Sequence, residues 1–361
     1  MLVSQFGERR LLARIQSRFE KIDRHSAHVV LGIGDDAAVV APRRNTQTVL
    51  TTDAQVEGVH FDRRFSSPED IGFRSLAVNV SDIAAMGATA RWALVSLVLP
   101  DATAVAEVDG IVEGIVQLAE TLGIAIIGGN LTRSPGPLMI DITAIGEVAA
   151  RRVLTRSGGR PGDALYVSGT IGAAAAGLEM LKAATGLKPG PSGVQEGLDL
   201  LKASGEGPGF SPGKLCIDRY RRPEPRARLG VAIAQARAAH AAIDLSDGLA
   251  DAAVQLADAS NCGVEIDASM LPIEVSARDW WSARAADPVV SALSGGDDYE
   301  LLIAVPSAWG GRLRHATTRV SKPSLTRVGR LTKAAGNCVL LRDGRPESLP
   351  GGFDHFGPIR E

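Results

Sequence analysis

The chain has 361 residues, 45% hydrophobic and 22% charged, with a formal net charge of -2. That length favours two domains over a single core, and the composition is that of a soluble globular protein. The near-neutral balance argues against a nucleic-acid platform, which carries a strong basic excess, and 4% aromatics leave little surface for stacking bases.

The opening stretch, MLVSQFGERRLLARI, is too charged for a signal peptide and fits a short amphipathic helix. LGIGDDAAVV, Leu31 to Val40, follows. Its Gly32-x-Gly34-x-x-Ala37 spacing, with Asp53 further on, outlines a dinucleotide fingerprint. A dinucleotide loop needs a helix directly after its glycines, because the helix N-terminus holds the pyrophosphate. Here Asp35 and Asp36 occupy the turn, and AAVVAPRRNTQTVLTTD reads as two short β runs around a polar turn. The dinucleotide reading therefore fails on charge and on context. A helix starts at Ser66-Ser67-Pro68-Glu69-Asp70, with a hydroxyl cap, Pro in the first turn and acids suited to the dipole. It runs to Gly87. WALVSLVLP is a buried strand. The next helix, DATAVAEVDGIVEGIVQLAETLG, takes Asp101 as its cap and Gly123 as its stop. IAIIGG and LMIDITAIGEVA are further strands. The β-α-β-α-β-β order predicts an α/β layer sandwich with a mixed sheet.

A Gly/Pro-rich turn, RSGGRPGDALYVSG, opens a second unit, so domains are expected at 1–149 and 150–361. Helix IGAAAAGLEMLKAA follows its first strand. The segment at about 184–214 is rich in Gly, Pro and Ser and reads as a surface insertion, with one short helix in its middle. From Arg226 the pattern resumes as helix, strand AAIDL, helix, strand GVEID, helix and strand YELLIAV. The three cysteines, Cys216, Cys262 and Cys338, form no C-x-x-C pair and read as reduced thiols of a cytosolic protein. No apolar run approaches the roughly 20 residues of a membrane span, so a soluble cytoplasmic protein is expected.

Aspartates recur at the ends of predicted elements: Asp35 and Asp36 in GDD, Asp53 in TTD, Asp82 in NVSD, Asp244 and Asp247 in DLSD, and Asp297 and Asp298 in GGDD. Any one of them can be a cap or an Asx turn. As a set they supply hard oxygen ligands of the kind Mg²⁺ takes alongside substrate phosphates.

These motifs resemble the thiamine-monophosphate kinase family, within the aminoimidazole-ribonucleotide-synthetase-like superfamily of ATP-binding enzymes. The resemblance spans nearly the whole chain, through LGIGDDAAV, TTDxxVEGVHF, LAVNVSDIAAMGA, GGN at Gly128–Asn130, LTRSGGRPGD, IDLSDGL, SGGDDYEL and FDHF. It implies two α/β domains and a homodimer in which N-terminal strands pair across the interface. It also implies direct transfer of the γ-phosphoryl of ATP to thiamine monophosphate, assisted by several Mg²⁺ ions. By the same resemblance, Asp36, Thr51, Thr52, Asp53, Asp82, Asn130, Asp244 and Asp247 fall at metal positions. Asp35, Gly129, Asn130, Arg156 and Ser246 fall at ATP positions, and His60 and Asp297 at substrate positions, to which Phe353 is added as a substitute for a missing aromatic residue. No covalent or general-base residue is required. Asp298 and Glu300 are read as structural, and His60 has an alternative as a satisfied histidine at a strand end.

Two positions depart from the family pattern. Asn130 stands where Asp is usual, and Pro350 stands where a C-terminal Trp is usual, leaving Phe353 or Phe356 as a substitute surface for the thiamine ring. Two other functions fit the same residues less fully: a superfamily kinase or synthetase with another acceptor, and a non-catalytic binder of ATP or thiamine phosphate.

Overall fold

The computed structural model describes residues 1–23, 28–186, 212–318, 320 and 323–353. The chain divides into two units, Met1–Ala84 with Ala88–Val153, and Ala85–Gly87 with Leu154–Glu361.

In the first unit, helices α1 (Val3–Phe6) and α2 (Glu8–Asp23) precede strands β1 (Val29–Leu31), β2 (Val39–Val40) and β3 (Thr46–Val56). Then come α3 (Pro68–Ala85), β4 (Thr89–Pro100), α4 (Val105–Leu122), β5 (Ala125–Ser134) and β6 (Met139–Ala149). β3, β6, β4 and β5 form one sheet in that order. Only the β4–β5 pair is parallel, as befits two strands joined by a helix. The alternation in β6 sorts its side chains: Ile140, Ile142 and Ala144 are fully buried, whereas Met139, Asp141 and Thr143 are half-buried. The first set faces α3, whose Ile83 lies against Gly146 of the same row. Each such buried Ile contributes about 2 kcal/mol. Ser67 Oγ accepts from Asp70 N at 3.1 Å, the hydroxyl cap the sequence implies. The expected Asp101 cap does not form. Thr103 N closes a turn on Pro100 O at 3.0 Å, which holds Asp101 outside the helix, and α4 starts at Val105 behind Ala104 without a side-chain cap.

The second unit contains β7 (Ala164–Ser168), α5 (Ala173–Ala184), α6 (Pro212–Arg221), α7 (Ala227–Ala236), β8 (Ala241–Asp244) and α8 (Leu249–Ala259). It continues with β9 (Gly263–Asp267), α9 (Val275–Ser282), α10 (Pro288–Ser294), β10 (Leu301–Val305), α11 (Gly310–Thr318), β11 (Leu325–Thr332), β12 (Cys338–Arg342) and β13 (Arg345–Ser348). Seven strands run β13-β12-β9-β11-β7-β10-β8, antiparallel except for β12 on β9. β10 explains the layering. Leu302 and Ala304 join the core beneath α5 and α8, while Leu301, Ile303 and Val305 join the core beneath α7 and α11. A strand buried on both faces reads as an unbroken apolar run, which is what LLIAV is.

Both units are thus α/β layers with mixed sheets. The expected insertion at 184–214 falls largely outside the described residues, and so does its short helix. Among the described residues, no helix is long and apolar enough to cross a membrane, and all three cysteines are free thiols. Burial pushes the Cys216 thiol up to about 12, with the Glu274 and Asp298 carboxylates adding to the effect.

Candidate active site

The candidate residues divide between the two units. In the first, GDD lies between β1 and β2, which pair as an antiparallel hairpin. The chain after the glycines is thus a strand and not a helix, in keeping with the rejected dinucleotide reading. Asp36 N donates to Asp35 Oδ1 at 2.8 Å, and both residues are exposed.

Strand alternation sends the TTD motif to two faces of its sheet. Thr51 points toward α3, where its Oγ1 donates to Asp82 Oδ2 at 2.5 Å. Asp53 shares that face, being paired with the buried Ile142. Thr52 points to the other face, where its Oγ1 donates to Asp141 Oδ1 at 2.9 Å and takes a hydrogen bond from Thr143 Oγ1 at 3.2 Å. One placement differs from the expectation that the acids lie at the ends of elements: Asp53 lies inside β3, whereas Asp82 lies in the last turn of α3, within the helix expected there. A strand–helix contact, Thr51 to Asp82, gathers these residues in place of a shared strand end.

Asn130 stands on β5, with β4 and β6 between it and β3. Within one chain the sheet therefore separates Asn130 from Asp53 by roughly three strand spacings, about 14 Å. Gly129 before it lies so close to β4 that a Cβ there would sit 1.9 Å from Val95 O. Only glycine fits. His60 closes the VEGVH turn: its main-chain N donates to Val56 O at 2.9 Å, and its Nδ1 accepts from Val56 N at 3.1 Å. Nε2 therefore carries the ring proton of the neutral form. Glu57 anchors the same turn, accepting from Arg63 Nε at 2.6 Å and Leu138 N at 3.2 Å.

In the second unit, Asp244 ends β8 and is buried, and the DLSD loop runs from it to α8. This loop is stitched by main-chain bonds to two other segments. Ser246 O accepts from Asp297 N at 2.7 Å, Leu245 O from Tyr299 N at 2.9 Å, and Asp247 O from Phe353 N at 3.2 Å. The structure thus brings Ser246, Asp247, Asp297 and Phe353 together. Gly248 follows with φ +102°, and a Cβ there would meet Leu293 O at 2.7 Å. Asp297 and Tyr299 also have positive φ, 71° and 49°. Tyr299 Oη donates to Asp297 Oδ1 at 3.2 Å. Left-handed backbone at a non-glycine residue costs about 1–3 kcal/mol and concentrates at functional sites. Arg156 Nη1 donates to Gln255 Oε1 at 2.6 Å, and Gln255 in turn holds Asp251, whose Cβ lies against Gly352.

Asp298 and Glu300 are structural partners. Asp298 accepts from Gly172 N at 2.7 Å and Ala174 N at 3.3 Å at the start of α5. Burial pushes its carboxyl up to about 7, against the pull of those two N–H groups. Glu300 is fully buried and pairs with Arg226.

Asp141, which accepts from Thr52, is a residue that the sequence reading does not single out. Its signal was present in the D-x-T alternation of IDIT, a lone acid among apolar positions opposite TTD.

Among the described residues, no three of His, Cys, Asp and Glu converge closely enough to hold an ion by themselves. Mg²⁺ does not require such a cage. It takes one or two carboxylates and fills its shell with substrate phosphates and water. Carboxylates with hydroxyl neighbours, as at Asp82 with Thr51, are donors of the right hardness for that mode.

The description "AIR synthase related protein" fits both units. Its N-terminal-domain model matches residues 34–148, and its C-terminal-domain model matches residues 160–339. Fold and acid-rich loops thus define an AIR synthase related protein. Within that class, the chain is 36% identical to thiamine-monophosphate kinase of Escherichia coli strain K12, over 97% of this chain and 98% of the relative. It is 33% identical to that of Bacillus subtilis strain 168, over 92% and 95%. Among solved structures, AaThiL complexed with AMPPCP and TMP superposes with a TM-score of 0.70 at 30% identity, covering 99% of both chains. The chain belongs to the thiamine-monophosphate kinase family.

Proposed function

We propose that this enzyme transfers the γ-phosphoryl group of ATP to thiamine monophosphate, giving thiamine diphosphate and ADP. The observation that carries the reading is the match over 99% of both chains to AaThiL, a protein complexed with AMPPCP and TMP. A phosphate oxygen of thiamine monophosphate attacks the γ-phosphorus. The bond to the β–γ bridging oxygen breaks, and its electron pair leaves with ADP. The attacking oxygen is already anionic, so no side chain has to remove a proton. The protein's task is to position two anions in line and to offset their charge.

Asp36, Asp53, Asp82, Asp244 and Asp247, with Thr51, Thr52 and Asn130, would hold Mg²⁺ through oxygen atoms. Bound Mg²⁺ supplies neutralisation of the phosphate charge. Arg156, Ser246, Gly129 and Asp35 are assigned to ATP, the always-charged fork of Arg156 suiting phosphate oxygens. His60, Asp297 and Phe353 are assigned to thiamine monophosphate, His60 with Nε2 as its protonated ring nitrogen. The half-exposed sheet face of the first unit, with Leu50 65% exposed on edge strand β3, supports a homodimer formed through this unit. Three free thiols, two of them buried, support a cytoplasmic setting.

The direct test is metal removal. With excess chelator, ADP formation dependent on thiamine monophosphate should fall to background and return on adding Mg²⁺. Undiminished turnover in metal-free buffer would overturn the mechanism. Phe353 gives a second expectation. The residue is 53% exposed, and its main chain is tied to Asp247 at 3.2 Å. A stacked aromatic pair contributes about 1 kcal/mol, so Phe353→Ala should raise KM for thiamine monophosphate roughly fivefold while KM for ATP stays put. Equal KM values for thiamine monophosphate in both proteins would remove Phe353 from the substrate site.

A further inference from the structure

A cavity of about 750 Å³ lies wholly within the second unit, bounded by α6, the link to α7, α11 and the start of β11. That volume suits a small-molecule ligand. None of the described residues lining it is assigned to metal, ATP or thiamine monophosphate. In β7, Leu165 and Val167 belong to the core beneath α5 and α8, so alternation turns Tyr166 to the opposite face, where it lines the cavity. α6 ends at Arg221 because Pro223 disfavours helix at the residue before it. Glu224 and Arg226 then lie on a non-helical link and reach the same space as Arg219 of α6. On α11, Gly310, Arg314 and Thr317 share a face by their spacing and line a further wall.

Among the described residues, three guanidinium groups and one carboxylate line this space. Arg226 is committed, with Nε and Nη2 on Glu300 and Nη1 on Glu224 at 2.9 Å. Arg219 is not. Its Nη1 lies 3.9 Å from Glu224 Oε2 and its Nη2 3.6 Å from Glu300 Oε1, both beyond hydrogen-bond length. Nη1 is buried and, among the described residues, has no hydrogen-bond partner, a cost that an anionic oxygen would remove. Arg314 is exposed, and its Nη1 lies over Gly310, where a Cβ would sit 3.8 Å from it. With Glu300 behind Arg226, three positive charges meet two negative ones. We infer that this cavity binds an organic phosphate monoester. The phosphate takes the unmatched Nη1 of Arg219, Arg314 adds a second positive charge, and the carbon body lies against Tyr166 and Leu325. A guanidinium fork suits phosphate oxygens, and a monoester presents two negative charges in one group to this pair.

The test is saturation-transfer NMR with phenyl phosphate on the full chain, with EDTA present and ATP left out. Without metal, the acid-rich candidate active site repels a dianion. Phenyl phosphate should bind with a Kd of about 1 mM. Inorganic phosphate should displace it, and benzyl alcohol, a ring without the charge, should not. Arg219→Gln and Arg314→Gln should each weaken binding about tenfold, whereas Arg156→Gln, at the proposed ATP site, should leave it unchanged. Arg314 is exposed, so its variant decides the matter even if Arg219→Gln fails to fold. Unchanged affinity in a folded Arg219→Gln or Arg314→Gln protein overturns the inference, as does loss of binding in Arg156→Gln. Succinate displacing the probe better than inorganic phosphate overturns the phosphate class. Metal and ATP are absent throughout, so the result is independent of whether the protein forms thiamine diphosphate.

Discussion

Asp247→Asn should lower kcat by about 10²–10³-fold, the range seen when one preorganised electrostatic group is removed from a transition state, while the protein stays folded. The second half of the expectation comes from the loop. DLSD is held by main-chain bonds, Ser246 O to Asp297 N at 2.7 Å and Asp247 O to Phe353 N at 3.2 Å. Asparagine at 247 leaves both main-chain bonds in place and removes the side-chain charge. The metal-free melting temperature should be unchanged or raised, because removing one acid from an acid-rich site relieves repulsion. Steady-state kinetics paired with a thermal melt decide the matter: a collapsed melt would make Asp247 a structural residue, and near-normal kcat would take it out of the metal site.

Glu300→Ala should produce the largest stability loss. Glu300 is 0% exposed and Arg226 is 5% exposed. The carboxylate accepts from Arg226 Nε at 2.6 Å and Ser168 Oγ at 2.5 Å, and Arg226 Nη2 completes a bidentate pair. Deleting the acid leaves the buried guanidinium with Glu224 alone, through Nη1 at 2.9 Å, and its Nε and Nη2 unmatched, which costs about 3–5 kcal/mol. For a domain of this size that lowers Tm by roughly 6–20 °C. The pair also explains why GGDDYE keeps its shape. Asp298 holds the start of α5 and Glu300 holds Arg226, so the chain just after Asp297 is fixed, and Asp297 N itself donates to Ser246 O at 2.7 Å. A double replacement, Arg226→Met with Glu300→Leu, should recover most of the loss, because an apolar pair needs no partner. If Glu300→Ala melts within 2 °C of the wild type, the ion pair is not a structural anchor.

The two α/β layers were legible in sequence because their signals are local. LLIAV is unbroken because β10 is covered on both faces, and Ser67 caps α3 as the S-x-x-D spacing implies. Gly123 ends α4 in the left-handed region. Errors arose where tertiary contacts decide. Asp101 sits in a turn that competes with capping. The single helix expected between GVEID and YELLIAV is two, split where Ala285 turns to φ 54° and Asp287 caps α10 through Val289 N at 2.9 Å. β13 is exposed along its whole length, so it carries no alternation to read. For the site, the sequence marked the acids but not their gathering. Thr51 meets Asp82 through a strand–helix contact, and Thr52 meets Asp141 across strands far apart in the chain. Neither pairing has a periodic signature.

The central claim is a chemical one, and product analysis tests it most directly. Purified protein incubated with ATP, Mg²⁺ and thiamine monophosphate should yield thiamine diphosphate and ADP in equal amounts by chromatography, with neither formed when thiamine monophosphate is left out. Folded, nucleotide-binding protein that forms no thiamine diphosphate under these conditions would contradict the account.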